Sequence, residues 1–298
     1  MTVHGLLRGA SALLVAAALA GIVPSSAAAQ QYEPPRLADG TPDLQGNWSN
    51  GTMTPIQRPP GVELILTAEQ VAALEDGRQD FIQASRQDSD PDRDAPPVGG
   101  ALTGDALFDA GGGAVGGYNY FFIDAGDDIA VFDGQPRSSL IVEPANGRRP
   151  AFSEEGQRRN AERQAFNAQF GQYDNPENRP LAERCLMSFG SNGGPPMLPN
   201  YFYNNNYTIV QTPDHIMILT EMVHDVRVIR MGEPNRLPEN VRPWMGDSWG
   251  RWAGDTLVIE TTNIHPQQVM LGISMGAEFY PSEEILVTER LVRVADDK

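Results

Sequence analysis

The chain of 298 residues has one cysteine, Cys185, so it can form no internal disulfide. No second thiol and no Cys/His spacing supports a zinc site. In an oxidising compartment a lone thiol of this kind is expected to be buried and inert, with Glu183 and Arg184 beside it leaving a nucleophilic role as the alternative. Positive charge is scarce as well: 22 Lys and Arg stand against 39 Asp and Glu, a formal net charge of −17. Such a surface repels phosphate backbones and anionic lipid heads, which argues against nucleic-acid and membrane partners. The acidity itself reads as a solubilising feature. Ser248 follows Asp247 but lacks the glycine pattern of a nucleophile elbow. The glycine cluster Gly111–Gly117 has no strand leading into it and no helix after it, so a loop fits better than a phosphate cradle.

No apolar run is long enough to span a bilayer. The longest, Ala12 to Val23, follows Arg8 and precedes the small residues Ala27, Ala28 and Ala29. Residues 1–29 therefore read as a cleaved signal peptide, and the mature protein as periplasmic or extracellular. Residues 30–298 read as a single β-rich domain. Tyr32 to Trp48 is an extended, Pro/Gly-punctuated strap ending in a short strand at Trp48. Residues 61–104 hold a helix, opened by the capping box Thr67–Gln70 and running to about Arg86, followed by a mobile loop. Strands are expected at Tyr118–Asp124, Ile129–Phe132 and Ser138–Glu143. A polar surface helix within 153–171 is capped by Ser153, and residues 201–298 form the main antiparallel sheet.

Two tight turns organise that sheet. Pro213-Asp214 closes a hairpin in which Thr212 faces His215 and Asn206 faces Glu221. Read as one continuous strand, His215–Ile229 puts Glu221, Val223, Asp225 and Arg227 on one face and Met222, His224, Val226 and Val228 on the other. Gly254-Asp255 closes a second hairpin that pairs Trp249 with Glu260 and Arg251 with Val258. Trp249, Arg251 and Glu260 then share a face, with Trp252, Leu257, Ile259 and Thr261 as core on the other. The last strand, Glu284–Val294, has no return strand, so its edge is expected to be open and the sheet incomplete.

Several segments resemble, as a set, those of a family of exported, uncharacterised bacterial β-rich proteins. They are Pro42–Trp48, Ser139–Pro144, Glu183–Cys185, Gly194–Met197, Ile209–His215, Leu219–Asp225, Gly246–Trp252 and Gly254–Asn263. Family members continue with further strands and a Cys/His-containing segment. The resemblance thus implies an exported compartment and a chain shortened at its C-terminus, and it transfers no activity.

The expected fold is mainly β with peripheral helices, an antiparallel barrel-like sheet or a twisted sandwich. The expected pocket is edged by Asn206, Glu221, Asp225, Arg227, Trp244, Trp249, Arg251 and Glu260. Amides, aromatics and carboxylates together suit a small apolar or aromatic, hydroxylated molecule. The competing reading is an acid/base enzyme, an isomerase, lyase or hydrolase, with Glu221, His224 and Glu260 as its proton-transfer groups. Glu221 and Glu260 neutralising arginines at the sheet rim is the plainer account of the same residues. A third reading is a structural envelope protein whose open sheet edge pairs with a partner strand or a second copy of the chain. His215, His224 and His265 are candidate metal ligands with Asp225 or Glu260, but His215 and His224 fall on opposite faces of one strand, so no metal is expected, and nothing in the sequence implies a cofactor.

Overall fold

The computed structural model describes residues 32–85, 124, 126–171, 173–187, 193–201, 204–223, 225–269 and 280–298. The predicted signal peptide, His224, Tyr203, the glycine cluster, nearly all of the expected strand at Tyr118–Asp124 and most of the predicted mobile loop lie outside these residues. Pro34–Lys298 forms one compact unit.

Among the described residues the fold is mainly β, with two helices at its periphery. Seven strands make one sheet: β1 (Gly46–Ser49), β4 (Asn206–Gln211), β5 (His215–Thr220), β6 (Val226–Met231), β7 (Asp247–Ala253), β8 (Thr256–Thr262) and β9 (Val287–Val292). Their spatial order is the order of the chain, and the sheet curls into a half-barrel. A two-strand ribbon, β2 (Val131–Phe132) with β3 (Gln135–Pro136), lies outside it. Helix α1 is Ala68–Ser85, and its capping box is closed both ways: Gln70 N donates to Thr67 Oγ1 at 3.2 Å, and Thr67 N to Gln70 Oε1 at 2.9 Å. Helix α2 is Glu154–Asn167, with Ser153 Oγ accepting from Gly156 N at 3.1 Å.

Both predicted turns form. The register sets Tyr207 opposite Thr220, and Asn206 Nδ2 reaches Glu221 Oε2 at 2.9 Å. In the second hairpin Trp249 pairs with Glu260 and Arg251 with Val258, and Leu257, Ile259 and Thr261 are fully buried. The strap also forms. Leu44 enters the core, Gln211 Nε2 donates to Pro42 O at 3.0 Å, and Arg36 reaches Asp255 of the β7–β8 turn at 2.7 Å.

Four expectations are corrected. His215–Ile229 is not one strand: it folds back after Thr220, and β5 and β6 pair antiparallel, with His215 opposite Arg230 and Leu219 opposite Val226. The reversal begins at Glu221, with Val223 at φ 68° and Asn204 Oδ1 accepting from Met222 N at 2.7 Å. The sheet is also not wholly antiparallel, because β6 and β7 run parallel, Ile229 beside Ser248. Gly250 permits that contact, since a Cβ there would stand 2.7 Å from Met231 Sδ and 3.0 Å from Ile229 Cγ2. Cys185 is exposed, not buried: a run of turns carries it, and its N–H bonds Ala182 O at 3.1 Å. The segment Ser138–Glu143, expected as a strand, instead makes scattered bonds to residues 55–64, such as Leu140 N to Pro55 O at 2.9 Å.

The inner face of the half-barrel carries Tyr207, Ile209, Ile216, Ile218, Ile229, Leu257 and Ile259, joined by Leu44 from the strap. Burying such side chains stabilises by about 1.5–3 kcal/mol each. Among the described residues, no helix is long and apolar enough to cross a membrane.

Candidate functional site

The fold-back after Thr220 decides where the predicted site residues go. Glu221 sits exposed in the turn, bonded to Asn206. Asp225 and Arg227 lie on the inner face, 7% and 2% exposed. Trp249, Arg251 and Glu260 lie on the outer face, one residue out of phase with the buried Ser248, Gly250, Ile259 and Thr261. Trp244 stacks on His265, ring centroids 4.0 Å apart. The sheet therefore divides the predicted pocket into four places, and Glu221 and Glu260 do not share an inner wall.

On the outer face, Glu260 accepts from Arg236 at 3.3 Å and lies 3.9 Å from Arg251. Arg230 bonds Asp247 and spreads over the Trp249 ring at 4.4 Å. Asp247 Oδ2 also accepts from Leu237 N at 2.8 Å, and Asn263 Nδ2 donates to Leu237 O, Pro238 O and Val241 O. These groups fasten the long β6–β7 connection onto the sheet, the rim ion pairing that the sequence admits as the plainer reading.

On the inner face, Arg227 joins four strands. Its Nε donates to Ser248 Oγ at 3.0 Å, Nη1 to Gly193 O at 3.2 Å, and Nη2 to Thr261 Oγ1 at 2.8 Å and Glu289 Oε2 at 2.5 Å. Glu289 Oε1 accepts from Met197 N at 3.0 Å. A buried charge is tolerated when paired and hydrogen-bonded in this way. The arrangement explains the glycines of the Gly193–Met197 loop. A Cβ on Gly194, whose φ is +90°, would stand 2.6 Å from Arg227 Nη1. Every guanidinium nitrogen of Arg227 is engaged, so this network clasps the loop to the sheet.

The cavity lies elsewhere. A cleft of about 1460 Å³ opens beside α2, walled by residues 149–153, by α2 and by the segment from Tyr280 to Ile285. It exceeds the roughly 300–1,000 Å³ usual for small-molecule sites. Phe152, Phe166, Ile141 and Ile285 give it apolar wall, and Asn160, Ser282 and three arginines, Arg149, Arg159 and Arg163, give it polar groups. Arg163 lies over the Tyr280 ring at 3.7 Å. On the helix, Arg158 takes both acids of its face, Glu155 at 2.6 Å and Glu162 at 2.5 Å. Its hydrogen bond holds the Glu155 carboxyl below the usual carboxylate range.

None of the residues predicted for the site lines this cleft. A signal was present: Arg159, Arg163 and Phe166 recur at helical spacing on one face of α2, which charge alone had assigned to solvent. Among the described residues, no three His, Cys, Asp or Glu side chains are placed to hold a metal ion. Compared with known proteins, the chain matches no family model, no curated protein and no solved structure.

Proposed function

We propose that this is an exported protein that binds a small, mostly apolar or aromatic, hydroxylated molecule, and that the molecule lies in the cleft beside α2. The observation that carries the reading is the cleft itself, whose wall combines Phe152, Phe166, Ile141 and Ile285 with Asn160, Ser282 and guanidinium groups. Apolar walls with a few convergent polar groups are what small-ligand sites have in common. The signal-peptide pattern of residues 1–29 supports export. The acid/base reading is not advanced, because Glu221 and Glu260 lie on separate parts of the sheet.

The test uses 1-naphthol, a neutral ring with one hydroxyl, titrated by its own fluorescence. Saturable binding is expected, and Ala151→Trp, which places an indole at the cleft wall, should abolish it while the far-ultraviolet circular dichroism stays that of the parent. Binding that survives Ala151→Trp unchanged would refute this placement.

A further inference from the structure

We propose that the natural occupant of the cleft is an organic acid, its ring against the apolar wall and its carboxylate held by Arg149 and Arg159. The inference rests on the binding reading above.

Cations are few in this chain, which has a single lysine, Lys298, and a net charge of −17. Three arginines on one cleft therefore stand out, and the state of their donors matters more than their number. Each guanidinium carries five N–H groups with no acceptor capacity of its own. Among the described residues none accepts from the Arg149 side chain; its guanidinium lies 5.0 Å from the Phe152 ring, and Nη1 is shielded from water. Arg159 has only Glu155 Oε1, 3.9 Å from Nε, beyond hydrogen-bond reach, and that Nε is also shielded. Arg163 makes one long bond, to Pro266 O at 3.4 Å. Arg227, by contrast, has every nitrogen bonded. One fold thus contains a guanidinium saturated by protein acceptors and, on the cleft, two that have no hydrogen-bond acceptor among the described residues.

The local acids do not fill the deficit. Glu155 and Glu162 are drawn to Arg158, and the remaining cleft carboxylates, Glu283 and Glu284, are exposed. An N–H hidden from water without an acceptor is unfavourable, and a carboxylate that draws the guanidinium forward replaces it with short, charge-assisted bonds. Arginine suits this because its planar fork takes a carboxylate through two parallel bonds. Arg58 and Arg137 also hide an N–H, but neither lines the cleft, so an orphan donor alone is not the argument. What singles out Arg149 and Arg159 is that both face one cavity walled by Phe152 and Phe166. Glu283, Glu284 and Ser282 then remain as acceptors for hydroxyl groups on the ring.

The experiment compares 1-naphthoate with 1-naphthamide, equal in shape and differing in charge, on the full chain. Calorimetry gives both dissociation constants for the parent, for the double variant Arg149→Gln/Arg159→Gln and for Ala151→Trp. The parent should bind naphthoate at least tenfold more tightly, about 1.4 kcal/mol, with the preference falling as salt rises. In the double variant the ratio should approach one while naphthamide affinity holds. Equal affinities in the parent, with both probes lost in Ala151→Trp, would overturn the organic acid and keep the cleft. A naphthoate preference unchanged in the double variant would place the carboxylate elsewhere and overturn the assignment. Binding of neither probe would overturn both readings. Should the double variant fail to fold, Arg159→Gln alone and the salt dependence of the parent decide the same point.

Discussion

Replacing Arg227 by methionine should be among the most damaging single changes in the chain, and the structure says why. The side chain is 2% exposed, and four of its hydrogen bonds end on Ser248, Gly193, Thr261 and Glu289. Ser248 and Thr261 hydroxyls lie 2.9 Å apart and can bond each other when the guanidinium goes, so they are not orphaned. Gly193 O loses a donor, but the larger cost falls on Glu289, which is 8% exposed and keeps only Met197 N. Breaking a buried pair by removing one partner costs about 3–5 kcal/mol. Removing both charges leaves no buried ion, so Arg227→Met/Glu289→Met should return to within about 1–2 kcal/mol of the parent, as volume-matched apolar replacements of buried pairs do. The assay is urea unfolding of the parent, both single variants and the double variant, followed by tryptophan fluorescence, with the slopes compared so that a change in the denatured state is recognised. The expected signature is strong non-additivity, the double variant being more stable than either single. A cost below about 1 kcal/mol for Arg227→Met, or single-variant losses that simply add, would mean that the clasp is not a desolvated ion pair and would refute the reasoning.

The parts of the fold legible in the sequence were those fixed by local chemistry. Pro213-Asp214 and Gly254-Asp255 each form a two-residue turn, and a turn of known length sets every pair beyond it, hence Asn206 on Glu221 and Trp249 on Glu260. Thr67 and Ser153 announced both helices through their capping bonds. The fold-back after Thr220 was not legible, because the segment Glu221-Met222-Val223-His224 contains no glycine, proline or asparagine. Val223 takes φ 68°, which a β-branched residue disfavours, and the support comes from Asn204, far back in the chain. That one omission moved Arg227 from the edge of the expected pocket to the buried inner face. The parallel contact of β6 with β7 was hidden for a related reason, since the long connection between them carries no helix to mark a crossover.

The candidate site was less legible than the fold because it is assembled from surfaces that look ordinary one by one. Helix α2 is polar all round, and such a helix reads as solvated. Its Arg159 and Arg163 acquire meaning only when Phe152 before the helix and the Tyr280–Ile285 segment close over them. The residues that drew attention have a visible chemical pattern of their own, since Glu260 takes Arg236 of the long β6–β7 connection, Arg251 lies 3.9 Å from Glu260 and Arg230 lies over the Trp249 ring, and holding a loop needs the same charges and aromatics as binding a ligand. Partner saturation separates the two cases: Arg236, Arg230 and Asp247 already bond within the protein, whereas Arg149 and Arg159 do not.

Two further outcomes follow from single positions. Gly194→Ala should destabilise by about 2 kcal/mol or more, combining the left-handed backbone cost with a clash against Arg227 Nη1 at 2.6 Å. Gly40→Ala, at φ +85° with nothing within 4 Å, isolates the backbone part, and equal melting shifts for the two would show that the loop does not press on the guanidinium. His265 supplies the pH dependence. Burial, with the Trp244 ring 4.0 Å away, pushes its pKa below the ordinary 6.5, so a proton binds the unfolded chain more readily than the folded one. Its contribution to stability is therefore complete above 6.5, the unfolded value, and declines as pH falls from there toward the depressed folded value, below which the penalty is constant. A nuclear magnetic resonance titration of the imidazole should give a midpoint below 6.5, and His265→Gln should remove that part of the acid sensitivity. A midpoint at or above 6.5 would mean that the imidazolium is at least as welcome in the folded protein as in water, and that the Trp244 stack does not desolvate it.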